Sequence, residues 1–357
     1  MNIQSAILIG DTHFGIKNFN LEFFNNQLKF FEKQIIPYMK QNNIQHLIQT
    51  GDLLDNRTTM DIKFLDTLYN NFVVDILEAN DIHLITFLGN HDIYYKNTRE
   101  VNLIKYLSKL CDNITCIDTQ TTITLNGKKT LLVPWLLENE TIQVIDESVI
   151  IGHFEIKDFQ VVKGSFDTKS SLDENSFGNC QVYSGHYHIN QKSKNIHYIG
   201  TPYQLNWNDF GNKCGFYIMS DGEISFQENT TSKKHTKIIW DEHKDDYCVI
   251  VEDDDTSTPY ATLENIPLMN HWIVKVFNKY SKHNGFEDLL FRLKELDIPY
   301  TFINEQELET IINPDNKHIE NARLKNTDTF VLDYVKENHP ELVDLVQDIL
   351  KELKVEE

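Results

Sequence analysis

Basic charge is what this chain has least of: 33 Lys and Arg stand against 54 Asp and Glu, a formal net charge of −21. Counterion release needs cationic side chains, so the chain is not expected to hold nucleic acid strongly on its own, which counts mildly against a nucleic-acid enzyme. A nucleic-acid role would require positive charge from bound metal ions and grip from a partner. The deficit is uneven, since residues 241–357 carry 27 acids against 12 Lys and Arg (net −15) and residues 1–240 carry 27 against 21 (net −6). Cysteine is also scarce. Cys111, Cys116, Cys180, Cys214 and Cys248 make an odd count with no Cys-x-x-Cys, which argues against a disulfide framework or a zinc–thiolate site and for reduced thiols in the cytoplasm. No run of about 18 apolar residues occurs, so no transmembrane helix and no membrane partner are expected. Residues 1–10 lack a basic n-region and a long apolar stretch; they read as a core strand rather than a secretory signal. There is no internal repeat and no low-complexity tract.

What is there suits a globular enzyme. The 357 residues are 40% hydrophobic and 11% aromatic, enough for one large catalytic domain with one or two small ones. Short apolar runs at 6–9, 46–49, 83–88, 130–133, 149–151 and 181–183 are bounded by Gly, Asp, Asn and Pro, as strands are. Helical spacing joins Phe23, Phe24, Leu28, Phe31 and Ile35, ending near Pro37. It joins Ile62, Leu65, Leu68, Tyr69, Phe72, Val73 and Ile76 in a second segment, and Val101, Ile104, Leu107 and Leu110 in a third. The fold class expected is α/β, a β-sandwich core flanked by helices. Strand hairpins continue through 214–226, and the polar stretch 229–237 reads as the exit from this domain. A loop at 253–255, a strand at 272–277, a helix at 285–296 and a strand at 300–303 suggest a small α+β capping domain. The boundaries expected are 1–232 for the catalytic domain, 240–303 for the cap, 304–326 for a polar linker, and 327–357 for a pair of amphipathic helices.

The chemistry lies in five clusters, each following an apolar run: Gly10-Asp11-Thr12-His13, Gly51-Asp52-Leu53-Leu54-Asp55-Asn56-Arg57, Gly89-Asn90-His91-Asp92, Gly152-His153 and Gly185-His186-Tyr187-His188. One Asp-x-His is weak evidence. Five clusters in this order supply imidazole and carboxylate ligands for two divalent metals side by side, an arrangement suited to breaking a phosphate ester bond. Some residues stay ambiguous alone. His186 and His188 face one side if they continue a strand but splay if a turn follows Gly185. His153 by itself reads more often as a satisfied core histidine. His46, His83 and His197 sit beside apolar runs and read as structural.

These clusters resemble the calcineurin-type metallophosphoesterases. Within that superfamily they are most similar to the SbcD-type nucleases of double-strand-break repair, in the branch found in T-even-like bacteriophages. Tyr94-Tyr95-Lys96-Asn97, Pro134-Trp135 and Tyr198-Ile199-Gly200-Thr201-Pro202-Tyr203 support the narrower match. The resemblance is strong over roughly residues 1–230. It implies that Asp11, His13, Asp52 and His188 hold one metal and that Asp52, Asn90, His153 and His186 hold the other, with Asp52 bridging. Mixed nitrogen and oxygen ligation favours manganese, iron or zinc over magnesium or calcium, and manganese is the ion expected. His91 takes the position of the family's catalytic histidine. Asp92 has two open readings, orienting that imidazole or capping the loop. Many cellular members carry histidine where this chain has Asp55, which puts a second catalytic imidazole in doubt and favours a structural pair of Asp55 with Arg57. Lys17, Arg57, Tyr95 and Lys96 flank the loops as candidate DNA contacts.

The resemblance further implies a DNA exonuclease and endonuclease working with a coiled-coil ABC-type ATPase docked on the 327–357 helices, and a homodimer. The host cytoplasm is the expected location if the gene is a phage's. The alternative is a metallophosphatase or small-molecule phosphodiesterase. Protein phosphatases of the superfamily usually carry Gly-Asp-x-x-Asp-Arg-Gly and Gly-Asn-His-Glu, whereas this chain has Asn56 before Arg57 and Asp92 after His91.

Overall fold

Strands covered on both faces lose their polar alternation, and the run Ala-Ile-Leu-Ile at Ala6–Ile9 is buried at every position. Successive side chains still point opposite ways: Ile7 and Ile9 enter one apolar cluster, Ala6 and Leu8 another. That division repeats through a two-sheet sandwich. The computed structural model describes residues 1–143, 149–241, 246–250, 271–278, 286–295, 298 and 300–304.

The first sheet has the order Glu223–Glu228, Gly215–Ser220, Ala6–Ile9, His46–Gln49, His83–Phe87, Ile114–Ile117; its last four strands are parallel. The second has the order Asn2–Ile3, Thr121–Leu125, Lys128–Val133, Val149–His153, Gln181–Gly185, Ile196–Tyr198, Gln191–Ser193, and is parallel from Lys128–Val133 through Ile196–Tyr198. Leu8, Ile48, Ile85 and Phe87 of the first sheet meet Leu132, Ile151 and Tyr183 of the second in the central layer. The far face of the first sheet buries Ile7, Leu47 and Leu84 under helices carrying Phe24, Phe31, Phe72 and Ile104. The far face of the second packs Leu131, Ile150 and Val182 against Phe154, Phe159 and Phe177. This is the expected α/β sandwich.

The helices depart from their expected outlines in three places. The first does not stop near Pro37. Leu21–Phe30 continues through the wider turns of Phe31–Ile35 into Ile36–Gln41, with Pro37 in the first turn of that last piece. The Ile36 N–H reaches back to the Phe31 carbonyl. That enlarged turn accommodates the ring and the missing amide that a regular turn rejects. In the second helix Ile62 is 83% exposed while Phe64 is 1% exposed. Asp61 caps the helix through the Phe64 N–H, and the buried stripe runs through Phe64, Leu68, Phe72 and Ile76. In the third, Asn102 caps Leu103–Leu110, leaving Val101 outside; Val101 and Leu110 are exposed and only Ile104 and Leu107 are buried.

Downstream, Lys234–Asp241, Asp246–Ile250, His271–Asn278 and Tyr300–Asn304 form a four-stranded sheet, with Phe286–Glu295 a helix that buries Leu289 and Leu293. The expected loop at 253–255, the linker beyond Asn304 and the helical segment 327–357 lie outside the described residues. Among the described residues no helix is long and apolar enough to cross a membrane, and Cys111, Cys116 and Cys214 are free thiols.

Candidate metal centre

The clusters converge because parallel strands of both sheets end at one edge, where loops held by a rigid scaffold can aim side chains. Asp11 follows Ala6–Ile9, Asp52 follows His46–Gln49 and Asn90 follows His83–Phe87; His153 closes Val149–His153, and His186 follows Gln181–Gly185. The chain turns sharply there. His13, Asp52 and His186 have φ of 45°, 54° and 88°, a left-handed backbone that non-glycine residues seldom adopt and that marks functional loops. Gly89 is required by contact: a Cβ there would lie 2.1 Å from Asp52 Oδ1 and 2.3 Å from the Asp52 amide nitrogen.

Two groups of donors result. Asp11, His13 and His188 each offer one ligand atom within 4.8 Å of the others, and so do Asp52, His153 and His186. Asn90 Oδ1 lies 3.1 Å from both His153 Nε2 and His186 Nδ1, which places it with the second group. Asp52 Oδ2 is 3.4 Å from His153 Nε2 and 3.8 Å from His13 Nε2, so this carboxylate reaches both groups. The structure therefore brings all seven expected residues together at one edge of the sandwich.

The donor set fits divalent cations. Both ring nitrogens of His13 are buried without a hydrogen-bond partner, a cost that coordination would remove. Asp11 and Asp52 are 1% and 2% exposed, and buried carboxylates need a counter-charge. Burial raises the Asp11 carboxyl, helped by Asp52 and opposed by His153, His188 and His13. For Asp52, burial is outweighed by the charge and hydrogen bond of His153 with help from His13 and His91, so its carboxyl stays well below the usual range. Burial pulls His153 down, but Asp52 and Asp11 lift it to about 9. Burial and the His153 charge depress His186 to about 3.

Outer groups hold the imidazoles. His153 Nδ1 donates to the Thr50 carbonyl at 2.9 Å. His188 Nδ1 is 3.5 Å from Asp209 Oδ1, and Asp209, 2% exposed, is itself anchored by the Leu205 and Asn206 N–H groups at 2.8 and 3.1 Å. Such partners fix the tautomer and turn the other nitrogen inward. Sequence reading missed Asp209, which sits in the short turn Trp207–Asp209 with only a helix-capping signature around it. Asp55 also departs from expectation. Its Oδ1 lies 3.3 Å from His13 Nδ1, and no ion pair joins it to the exposed Arg57. The Asp55 N–H bonds the Phe14 carbonyl, drawing this segment alongside His13. His13, Asp55 and His91 make a third convergent group within 4.8 Å.

His91 touches the centre twice. Its N–H donates to Asp52 Oδ1 at 2.8 Å, and its Nδ1 lies 2.6 Å from the Asp55 carbonyl oxygen, which can only accept, so Nδ1 is the donor there and Nε2 is left for other partners. Asp92 does not orient this ring. Its carboxylate takes the N–H groups of Leu53, Leu54 and Gly89 at 3.3, 3.0 and 2.9 Å, fastening the second cluster to the third. Burial, with the Asp52 charge, raises it to about 7 despite those donors. Lys17, Arg57, Tyr95 and Lys96 are exposed on the loops leaving the Asp11, Asp52 and Asn90 turns. The Lys17 ammonium rests 4.3 Å over the Phe23 ring, and Tyr95, 51% exposed, meets Tyr94 edge-on at 4.6 Å. Trp135 packs against His186 and His153 at 5.1 and 5.8 Å between ring centroids.

Comparison with known proteins agrees with this geometry. The chain is 32% identical over 218 residues to exonuclease subunit 1 of Enterobacteria phage T4, covering 59% of this chain and 62% of that protein. It is 29% identical over 221 residues to putative phosphoesterase 078R of Invertebrate iridescent virus 3, covering 57% of this chain and 58% of that one. The chain thus spans about three fifths of the length of these curated relatives. Residues 5–190, which contain all seven gathered ligand candidates, match the calcineurin-like phosphoesterase family, and the chain belongs to it.

Proposed function

We propose that this protein is a metal-dependent DNA nuclease that hydrolyses phosphodiester bonds at a two-ion centre. The observation that carries the reading is the pair of donor groups sharing Asp52, with His91 beside them. When bound, the cations supply Lewis-acid charge at the phosphate and acidify water there. Asp52 spans the two loci, Asp11, His13 and His188 complete one, and Asn90, His153 and His186 complete the other. Manganese is the ion proposed. His91 is the general acid: with Nδ1 retained by the Asp55 carbonyl, protonated Nε2 hands its proton to the leaving alkoxide. Asp92 positions the loops. Lys17, Arg57, Tyr95 and Lys96 meet the DNA strand at the rim. The phage relative's name, exonuclease subunit 1, supports a nuclease activity and, as a subunit, supports a partner. The net charge of −21 is consistent with borrowing DNA grip from that partner, an ABC-type ATPase bound through residues 327–357, in recombination or repair, with the nuclease itself a homodimer.

The test is manganese with end-labelled single- and double-stranded DNA, using wild type, His153→Ala and His91→Ala. Cleavage lost in both variants, with metal content retained only in His91→Ala, is the expected result. Hydrolysis of a small aryl phosphodiester without DNA cleavage would favour the alternative, a metallophosphatase or small-molecule phosphodiesterase, unless the ATPase restores cutting. Removing 327–357 should abolish ATPase capture in a pull-down; retained capture would refute that docking site.

A further inference from the structure

A cavity of about 300 Å³ opens beside the metal centre and shares His153 with it. Trp135, Leu137, Phe154 and Leu172 supply apolar lining, and Ser171 and Glu155 lie among its polar lining groups. Its walls are braced. The Trp135 N–H bonds the Leu88 carbonyl at 2.7 Å, and the Trp135 carbonyl accepts from Arg99 Nε at 2.9 Å. Arg99 is in turn ion-paired to Glu140, whose Oε2 takes the Leu137 N–H at 2.9 Å. Opposite, Phe154 is 1% exposed and its N–H bonds Ser184 Oγ at 3.0 Å, while Lys157 N–H ties down the Leu172 carbonyl at 2.9 Å. The cavity is therefore preformed, as ligand sites generally are.

Its chemistry selects the occupant. The lining contains Glu138, Glu140 and Glu155 and no Lys or Arg, so a phosphate is unwelcome. A flat neutral ring with hydrogen-bonding edges fits a slot of indole, aliphatic and hydroxyl groups. Trp135 stands 5.1 Å from the His186 ring, so a ring lying there is adjacent to any phosphate held at the metal centre.

We propose that this cavity is a nucleobase seat: it receives the base of the nucleotide whose phosphate lies at the metal centre, stacked on Trp135. The inference rests on the nuclease reading and sharpens it. A base enters the cavity only after leaving its own stack and pair, so single strands and frayed or mismatched ends are better substrates than paired interiors.

The test compares two ligands that differ only in the base. Deoxyadenosine 5′-monophosphate and 2-deoxyribose 5-phosphate are titrated into the manganese-loaded full chain by calorimetry and as inhibitors of aryl phosphodiester hydrolysis. Base–aromatic stacking predicts that the nucleotide binds about tenfold to a hundredfold more tightly than the sugar phosphate. Trp135→Ala should bring that ratio near one, and Trp135→Phe should keep most of it. Ser171→Trp, which fills the cavity from an exposed position, should also collapse it without removing the indole that packs on His186. A ratio near one in wild type, or an unchanged ratio in both Trp135→Ala and Ser171→Trp, overturns the proposal. The ratio is read without DNA, so failure to cleave DNA would sink the nuclease reading and leave this measurement standing.

Discussion

His188 and Asp209 form a pair that decides how one imidazole meets an ion. Asp209 is nearly inaccessible and both its neighbours' amides converge on its carboxylate, so its orientation is fixed before any ligand arrives. Burial opposes its ionisation, yet the hydrogen bond and charge of His188 keep its carboxyl below the usual range, and His188 is raised in return against its own burial. Asp209→Asn keeps the shape and both amide contacts while removing the charge. Loss of such an outer partner typically costs about 10- to 100-fold in metal affinity, and calorimetric titration with manganese should show that loss for one of two ions. Equal weakening of both, or of neither, would mean that Asp209 only closes the turn. At this scale the sequence was legible where a residue sits in a motif and blind elsewhere. Asp11 to His188 could be gathered from five short clusters, but Asp209 is one acid among 54 Asp and Glu. Asp92 and Asp55 were visible, and their partners were not, because loop packing decides whether a carboxylate meets a backbone amide or an imidazole.

Elements set the precision of the site. The turn after His83–Phe87 must pass so near Asp52 that only glycine fits at position 89. Gly89→Ala would push its methyl into the Asp52 carboxylate and amide, neither of which is a flexible chain end. The expected outcome is a loss of manganese binding and hydrolysis far larger than the loss of thermal stability, because the strand itself ends before the clash. Unfolding followed by circular dichroism, beside metal content, checks this: a collapse of the fold with the metal would assign Gly89 to stability instead. Apolar runs made the strands readable, since a strand buried on both faces is a continuous run bounded by turn residues. Helix outlines were less readable. Phe64 sits two residues beyond Ile62, and spacing alone does not say which enters the core; the Asp61 cap does, by fixing where the first turn begins. The passage through Pro37 depends on the widened Phe31–Ile35 turns, which no residue type announces.

Across the whole molecule the centre is a joint between sheets. Asp11 and His13 follow a strand of the first sheet and His188 one of the second; Asp52 and Asn90 belong with the first, His153 and His186 with the second. Each proposed ion would therefore tie the two halves of the sandwich across their common edge. A ligand that binds the folded chain alone stabilises it by RT times the logarithm of one plus its free concentration over Kd, about 2.7 kcal/mol per site at a hundredfold excess over Kd. Manganese should raise the melting temperature of wild type, with a chelator reversing the rise. Removing a ligand from either sheet should blunt it: His153→Ala and Asp11→Asn are predicted to lose most of the manganese-dependent shift, although neither changes a residue of the central apolar layer. Asp52→Asn should lose more than either, because its carboxylate lies within reach of both donor groups. Differential scanning calorimetry with and without manganese separates these cases. A full manganese shift in Asp52→Asn would mean that the ion binds elsewhere and that the two sheets are held together by their apolar layer alone.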